Sequence, residues 1–284
     1  MASKLKRIGY IDHRLENFHA NVYLGILRKE LKDRGFVIAG CMSEDEAEGR
    51  IWAKKNDVPY YSTPAELAAN VDYFMVLAPS NPERHLDLCK MVFPFGKTTY
   101  VDKTFAPDLK SAKAIFKLGD KHGVKLQTSS ALRYTNVQDQ LAELGGQSAI
   151  QHMVAWGGGR SFEEYGIHPM ELVVSCMGSD IASLMRRGTG PCSQVLINFK
   201  NGRTAVVNVY TDANTPFAAS VSTAKETRLI TVDGSKIFIN MAAAILDLFE
   251  KGKPNIPRAE SLAIRQILDA AADPAALKNF IKLK

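Results

Sequence analysis

At 284 residues the chain has room for two ordinary domains. Its 46% apolar and 23% charged content fits a folded globular protein and excludes a disordered or fibrous one. No run approaches the ~20 apolar residues that span a bilayer. The apolar segment near the N-terminus is cut at Asp12, His13 and Arg14, too early for a secretory signal, so a cytoplasmic protein is expected. The charge of +6 comes without basic runs interleaved with aromatics, which argues against nucleic acid as a partner. Cys41, Cys89, Cys176 and Cys192 show no C-x-x-C spacing and no histidine to complete a zinc site, so they read as buried thiols and no metal is expected.

In chain order, Arg7–Ile11 reads as a buried strand. Phe18, Val22 and Ile26, widened by Leu24, Leu27 and Leu31, recur at helical spacing until Gly35 stops the helix. Phe36–Ala39 is a second strand and Glu44–Lys55 a second helix. Thr63-Pro64-Ala65-Glu66 has the pattern of a capping box with proline at the first helical position. Strands at Tyr73–Leu77, Thr98–Val101 and Lys125–Thr128 are separated by helices over Pro82–Val92 and Asp108–His122. Alternation of this kind predicts a parallel sheet covered by helices on both faces.

After Ser130 the pattern changes. A short helix, Thr135–Leu144, ends at Gly145-Gly146. Strands follow at Ala149–Ala155, Gln194–Phe199, Thr204–Tyr210, Ala218–Ala224 and Arg228–Val232. Asn201-Gly202 suggests a two-residue type I′ hairpin, and Asp233-Gly234 a second turn. Helices at Met241–Glu250 and Glu260–Ala271 close the chain. The fold class expected is α/β: a Rossmann-like parallel-sheet domain over residues 1–130, then a smaller α+β domain over 131–284 with an open, mostly antiparallel sheet. The final helices are free to pack back on the first domain.

Four segments carry chemistry-bearing residues: Ala78-Pro79-Ser80-Asn81 with His85, Asp102-Lys103-Thr104, Ala131-Leu132-Arg133-Tyr134, and Glu164-Tyr165-Gly166-Ile167-His168. Three of them follow strands of the first half, where open parallel sheets bind ligands. Taken in order, they resemble the T-P-N-x-x-x-H, E-K-P, L-R-Y and D-x-G-x-H signatures of the glucose–fructose oxidoreductase/inositol dehydrogenase/rhizopine-catabolism (Gfo/Idh/MocA) family. The resemblance covers nearly the whole chain. It implies an NAD- or NADP-dependent oxidoreductase acting on a hydroxyl or ketone of a sugar, polyol or related small molecule, assembled as a homo-oligomer through its second sheet.

Residue types suit that reaction. Hydride transfer from a carbinol needs a base for the proton and a positive group at the developing oxyanion. His168 is expected as the base and Lys103 as the cationic donor, with Glu164, four residues before His168, as the carboxylate that orients the imidazole. Arg133, Tyr134, Trp156 and Tyr165 are expected at the substrate. Gly9, Asp12, His13, Arg14, Ser43, Ala78, Pro79, Asn81, His85, Asp102 and Lys103 are expected around the cofactor.

The first βα turn departs from the family pattern. Where a dinucleotide fingerprint places glycines, this chain has Asp12 and Arg14. A carboxylate ~4 Å from a phosphate repels it by roughly 4 kcal/mol at an effective dielectric near 20. Either His13 and Arg14 offset that charge, or Asp12 and Arg14 pair with each other. Ser43, where an acidic residue often holds the ribose, leaves NAD against NADP undecided, with no following arginine for a 2′-phosphate. Thr104 replaces the proline that would favour a cis bond after the lysine. Two further readings share these residues: a non-catalytic ligand-binding or regulatory protein, and a redox-neutral sugar lyase or glycosidase working through a transient ketone.

Overall fold

The computed structural model describes residues 5–283. Two compact units divide the chain. The first runs to Ser129 and takes in Phe238–Pro257; the second comprises Ser130–Ile237 and the segment from Arg258 onward.

The first unit is built on β1 (Lys6–Asp12), β2 (Phe36–Ser43), β3 (Tyr73–Val76), β4 (Thr99–Val101) and β5 (Leu126–Gln127), all parallel, in the order β2-β1-β3-β4-β5. Their apolar runs are buried on both faces, as a helix-covered parallel sheet requires. The connections are α1 (Phe18–Arg28), α2 (Glu46–Lys55), α3 (Pro64–Asn70), α4 (His85–Val92) and α5 (Leu109–Lys121). Asn17, Asp45, Thr63 and Asp108 each accept a backbone N–H at the N-terminus of a helix, and Thr63 with Glu66 closes the expected capping box.

α1 differs from its sequence reading. It ends at Arg28, and a separate 3₁₀ turn, Lys32–Arg34, closes on Gly35 at φ 71°. Its buried face is His19, Ala20, Tyr23, Leu24, Ile26 and Leu27, whereas Phe18 is 62% exposed and edges onto Phe238.

In the second unit a 3₁₀ turn, Ala131–Arg133, precedes α6 (Asn136–Asp139), a single capped turn where a longer helix was expected. β6 (His152–Gly158), α7 (Phe162–Tyr165) and α8 (Ile167–Met177) follow. Next come β7 (Ile181–Arg187), β8 (Cys192–Phe199), β9 (Thr204–Tyr210), β10 (Ala218–Ser222) and β11 (Thr227–Thr231). After α9 (Ile237–Lys251), nearly all of which belongs to the first unit, α10 (Arg258–Ala272) and β12 (Ile281–Lys282) complete the second.

The seven strands form one sheet, β11-β10-β6-β9-β8-β7-β12, antiparallel except for the β6–β9 pair. Along β6 and β9 every second residue is buried, so one face of the sheet is covered and packs with α8 and α10 into one core. The β8–β9 turn is not type I′. Gly202 sits at φ 83° but Asn201 stays at negative φ. Gly202 N donates to Phe199 O and Phe199 N to Arg203 O, which gives a three-residue loop with glycine at the left-handed position. Cys41, Cys89 and Cys176 are buried, whereas Cys192, at the open start of β8, is exposed. Among the described residues no helix is long and apolar enough to cross a membrane.

Candidate active site

In the first unit the carboxyl ends of β1, β3 and β4 carry the candidate groups. Lys103 follows β4, is 8% exposed, and donates from Nζ to Pro79 O at 3.0 Å. An ammonium has three donors, so two remain for a ligand. The Lys103–Thr104 peptide is cis despite the threonine. Ala78 takes φ 60°, so the chain turns sharply out of β3 into the Pro79–Asn81 loop. Asn81 N donates to Ala78 O, and its amide group to Glu83.

Two residues expected at the cofactor are instead struts beneath these loops. His85 is fully buried, its ring between the carbonyls of Leu77 and Phe105, so it ties the β3 and β4 loops together. Burial pushes its pKa down. Asp102 is also fully buried and pairs with His19 of α1 at 2.5 Å, while Tyr100 and the Lys103 amide donate to it. Burial alone would raise its pKa, but His19 and Lys103 hold it below the usual carboxylate range. Gly9 is likewise structural: it lies mid-strand, where a Cβ would meet Val71 and Leu67 at 3.1–3.2 Å.

The first turn is held together by its own carboxylates. Asp12, 1% exposed, accepts the Arg14 amide at 3.1 Å and the Asn17 side-chain amide at 2.8 Å, with further backbone donors from Ala78 and His13. Burial raises its pKa to about 7, although these hydrogen bonds favour the charged form. Glu48, reaching over from α2, accepts the Leu15 amide at 2.9 Å and the Glu16 amide through its other oxygen. Asn17 also donates to Arg14 O and caps α1.

Of the two arrangements the sequence left open, the Asp12–Arg14 ion pair does not form: the Arg14 guanidinium lies on Asp45 at 3.4 Å. Ser43 is buried and donates to His13 O at 2.9 Å, fixing the turn to the end of β2. Beside it, Glu44 joins His13 at 2.9 Å and Arg84, an arginine that lies 40 residues away in sequence and was not foreseen there. The amides of Arg14, Leu15 and Glu16 form a donor set of the kind that holds an anion, and here the carboxylates of Asp12 and Glu48 take it up. The chemistry fits a dinucleotide's pyrophosphate, although the amides are already engaged.

In the second unit His168, near the start of α8, has Nδ1 at 2.7 Å from Ser130 Oγ. Its ring packs edge-on against Tyr165 and Phe217, with centroids 5.6 Å away in each case. Gly157 and Gly159 make room for these two rings, since a Cβ would lie 2.1 Å from Phe217 and 2.0 Å from Tyr165. Sequence reasoning missed Ser130 and Phe217; the glycine run was the available signal for Phe217. Glu164 lies in the turn preceding α8, its amide donating to Ser161.

Behind Ser130 sits a buried charge network. Glu171 accepts the Ser130 amide at 3.1 Å and pairs with Arg133, which also pairs with Glu260 at 2.6 Å. Arg133, expected at the substrate, is therefore spent inside the unit, its side chain 11% exposed. Tyr134 follows in the same turn, its amide on Ala131 O. Trp156 alternates with buried Ala155 and Gly157 along β6, so it points to the sheet face opposite the His168 cluster.

Residues 14–130 match the family model described as an oxidoreductase family with an NAD-binding Rossmann fold. No curated protein matches the sequence. Among solved structures, GenD2 from gentamicin A biosynthesis in complex with NAD is 14% identical with a TM-score of 0.82, over 100% of this chain and 98% of that one. Scyllo-inositol dehydrogenase from Lactobacillus casei with bound NAD(H) and scyllo-inositol is 12% identical with a TM-score of 0.81, over 98% and 99%. An oxidoreductase from Agrobacterium radiobacter in complex with NAD+, L-tartaric acid and magnesium is 16% identical with a TM-score of 0.76, over 98% of each chain. At these identities the likeness establishes the fold.

Proposed function

We propose, from the match of residues 14–130 to the Gfo/Idh/MocA oxidoreductase family model, that this chain is an NAD- or NADP-dependent dehydrogenase or reductase of a sugar, polyol or similar small hydroxylated molecule. The observation that carries the reading is Lys103: an almost buried ammonium at the carboxyl edge of a parallel sheet, in a domain matched to a dinucleotide-binding oxidoreductase family. A solved neighbour bound to NAD(H) and scyllo-inositol supports the substrate class. Residues of the first turn with Ala78, Pro79 and Asn81 would hold the cofactor, which when bound supplies the hydride acceptor or donor.

Lys103 donates a hydrogen bond to the substrate oxygen and stabilises its negative charge. His168 takes the hydroxyl proton in oxidation and returns it in reduction. Ser130 fixes the imidazole through Nδ1, while Tyr165 and Phe217 limit the ring's rotation. The chain works as a homo-oligomer in this reading.

Melting curves with millimolar NAD, NADH, NADP and NADPH test the cofactor half of the reading. A ligand at a hundredfold excess over its dissociation constant stabilises by about 2.7 kcal/mol. Absence of a response to all four would remove the proposal. With the responding cofactor and a panel of cyclic polyols and aldoses, Lys103→Ala and His168→Ala should each lower turnover by about 10²–10³-fold while cofactor affinity stays near that of the parent protein. If affinity falls in step with rate, these residues only bind.

A further inference from the structure

The first turn offers a donor set that its own side chains already occupy. The amides of Arg14, Leu15 and Glu16 point at two carboxylates, one at the end of β1 and one on α2. We propose that Asp12 and Glu48 form an internal plug on the pyrophosphate seat, so that a dinucleotide binds only as Glu48 swings off the Leu15 and Glu16 amides. The inference rests on the reading of the chain as a dinucleotide-dependent enzyme and adds a control of cofactor entry to it.

The two carboxylates have different freedom. Glu48 is half-buried, belongs to the first turn of α2, and can leave the amides by side-chain rotation. Asp12 is fixed by Asn17 and by its own backbone neighbours, so it stays and must be neutralised. Charges around Asp12 offer little help. His13 is engaged by Glu44, Arg14 lies on Asp45, and Glu48 is itself negative. The displacement of Asp12's pKa toward neutrality supports uptake of a proton when a phosphate arrives.

Calorimetric titration of the full chain with the four nicotinamide dinucleotides and with inorganic pyrophosphate tests the plug. Glu48→Ala should tighten both kinds of ligand by at least about tenfold. Glu48→Gln, which can still accept one amide, should fall between parent and alanine variant. In the parent protein, affinity should rise as pH falls from about 8 to about 6, and Asp12→Asn should flatten that dependence. The Glu48 variants decide the matter even if Asp12→Asn fails to fold.

Equal or weaker binding in Glu48→Ala, with dinucleotide bound by the parent, overturns the plug and leaves the proposed function standing. Tightened pyrophosphate with no dinucleotide bound by any variant supports the plug and removes the cofactor reading. No binding of either ligand by parent or variants overturns both.

Discussion

Replacing Arg133 with methionine removes the guanidinium that separates Glu171 from Glu260 inside the second unit. The three side chains are 11%, 3% and 13% exposed, so neither carboxylate can recover its hydration without a rearrangement. Removing one partner of a buried ion pair costs about 3–5 kcal/mol. In a cooperative unit near 150 residues, about the size of the second unit, each kcal/mol moves the midpoint by about 4 °C, so a fall of roughly 12–20 °C is expected. Urea and thermal melts of the parent and Arg133→Met measure it directly. Glu260→Gln, which keeps the Glu171 pair, should cost about 1–3 kcal/mol. The Glu171 carboxylate also receives the Ser130 amide, and Ser130 bonds to His168, so Arg133→Met should additionally shift the pH profile of turnover. An unchanged midpoint with weakened substrate affinity would refute this placement and return Arg133 to the substrate.

Two further outcomes follow from the same geometry. The folded chain holds the Asp12 proton up to about pH 7, whereas the unfolded chain has lost it by about pH 4. Stability should therefore fall as pH rises between those values and level off above them, by on the order of 4 kcal/mol, and Asp12→Asn should remove that slope in pH-dependent urea melts. Gly159→Ala places a methyl 2.0 Å from the Tyr165 ring, so it should displace that ring from His168 and lower turnover by about tenfold or more, with cofactor affinity kept. Turnover like the parent's would show that the Tyr165 ring does not shape the histidine's surroundings.

The sheet of the first unit was legible because its strands are near-continuous apolar runs bounded by turns, and β9 was read residue for residue from its alternation. β7 escaped because a bulge between Ile181 and Ser183 breaks the period of two, and β12 because two residues carry no period at all. α1 was read correctly at Leu24, Ile26 and Leu27, which are buried, but not at Phe18, which is exposed and packs on Phe238, a partner no local pattern announces. The motif residues were legible as types, not as roles. What decides those roles comes from far along the chain: Glu48 meets Leu15 from 33 residues away, His19 meets Asp102 from 83, and Ser130 meets His168 from 38. Such pairings leave no local trace, so a buried strut such as Asp102 and the lysine beside it, proposed to act on substrate, look alike in sequence.

The path of α9 bears on how the protein can be divided. After nearly the whole second-unit sheet has been made, the chain returns to place Phe249 flat against Tyr73, 4.7 Å between ring centres, and Glu250 against Lys6 and Arg34. The polypeptide therefore passes between the units three times, after Ser129, Ile237 and Pro257. A fragment stopped at Ser129 would keep every strand of the parallel sheet yet leave Tyr73 and Phe36 bare. Limited digestion that severs a single passage should release neither piece, and recombinant dissection would have to splice Phe238–Pro257 onto the amino-terminal portion to yield something that stays in solution.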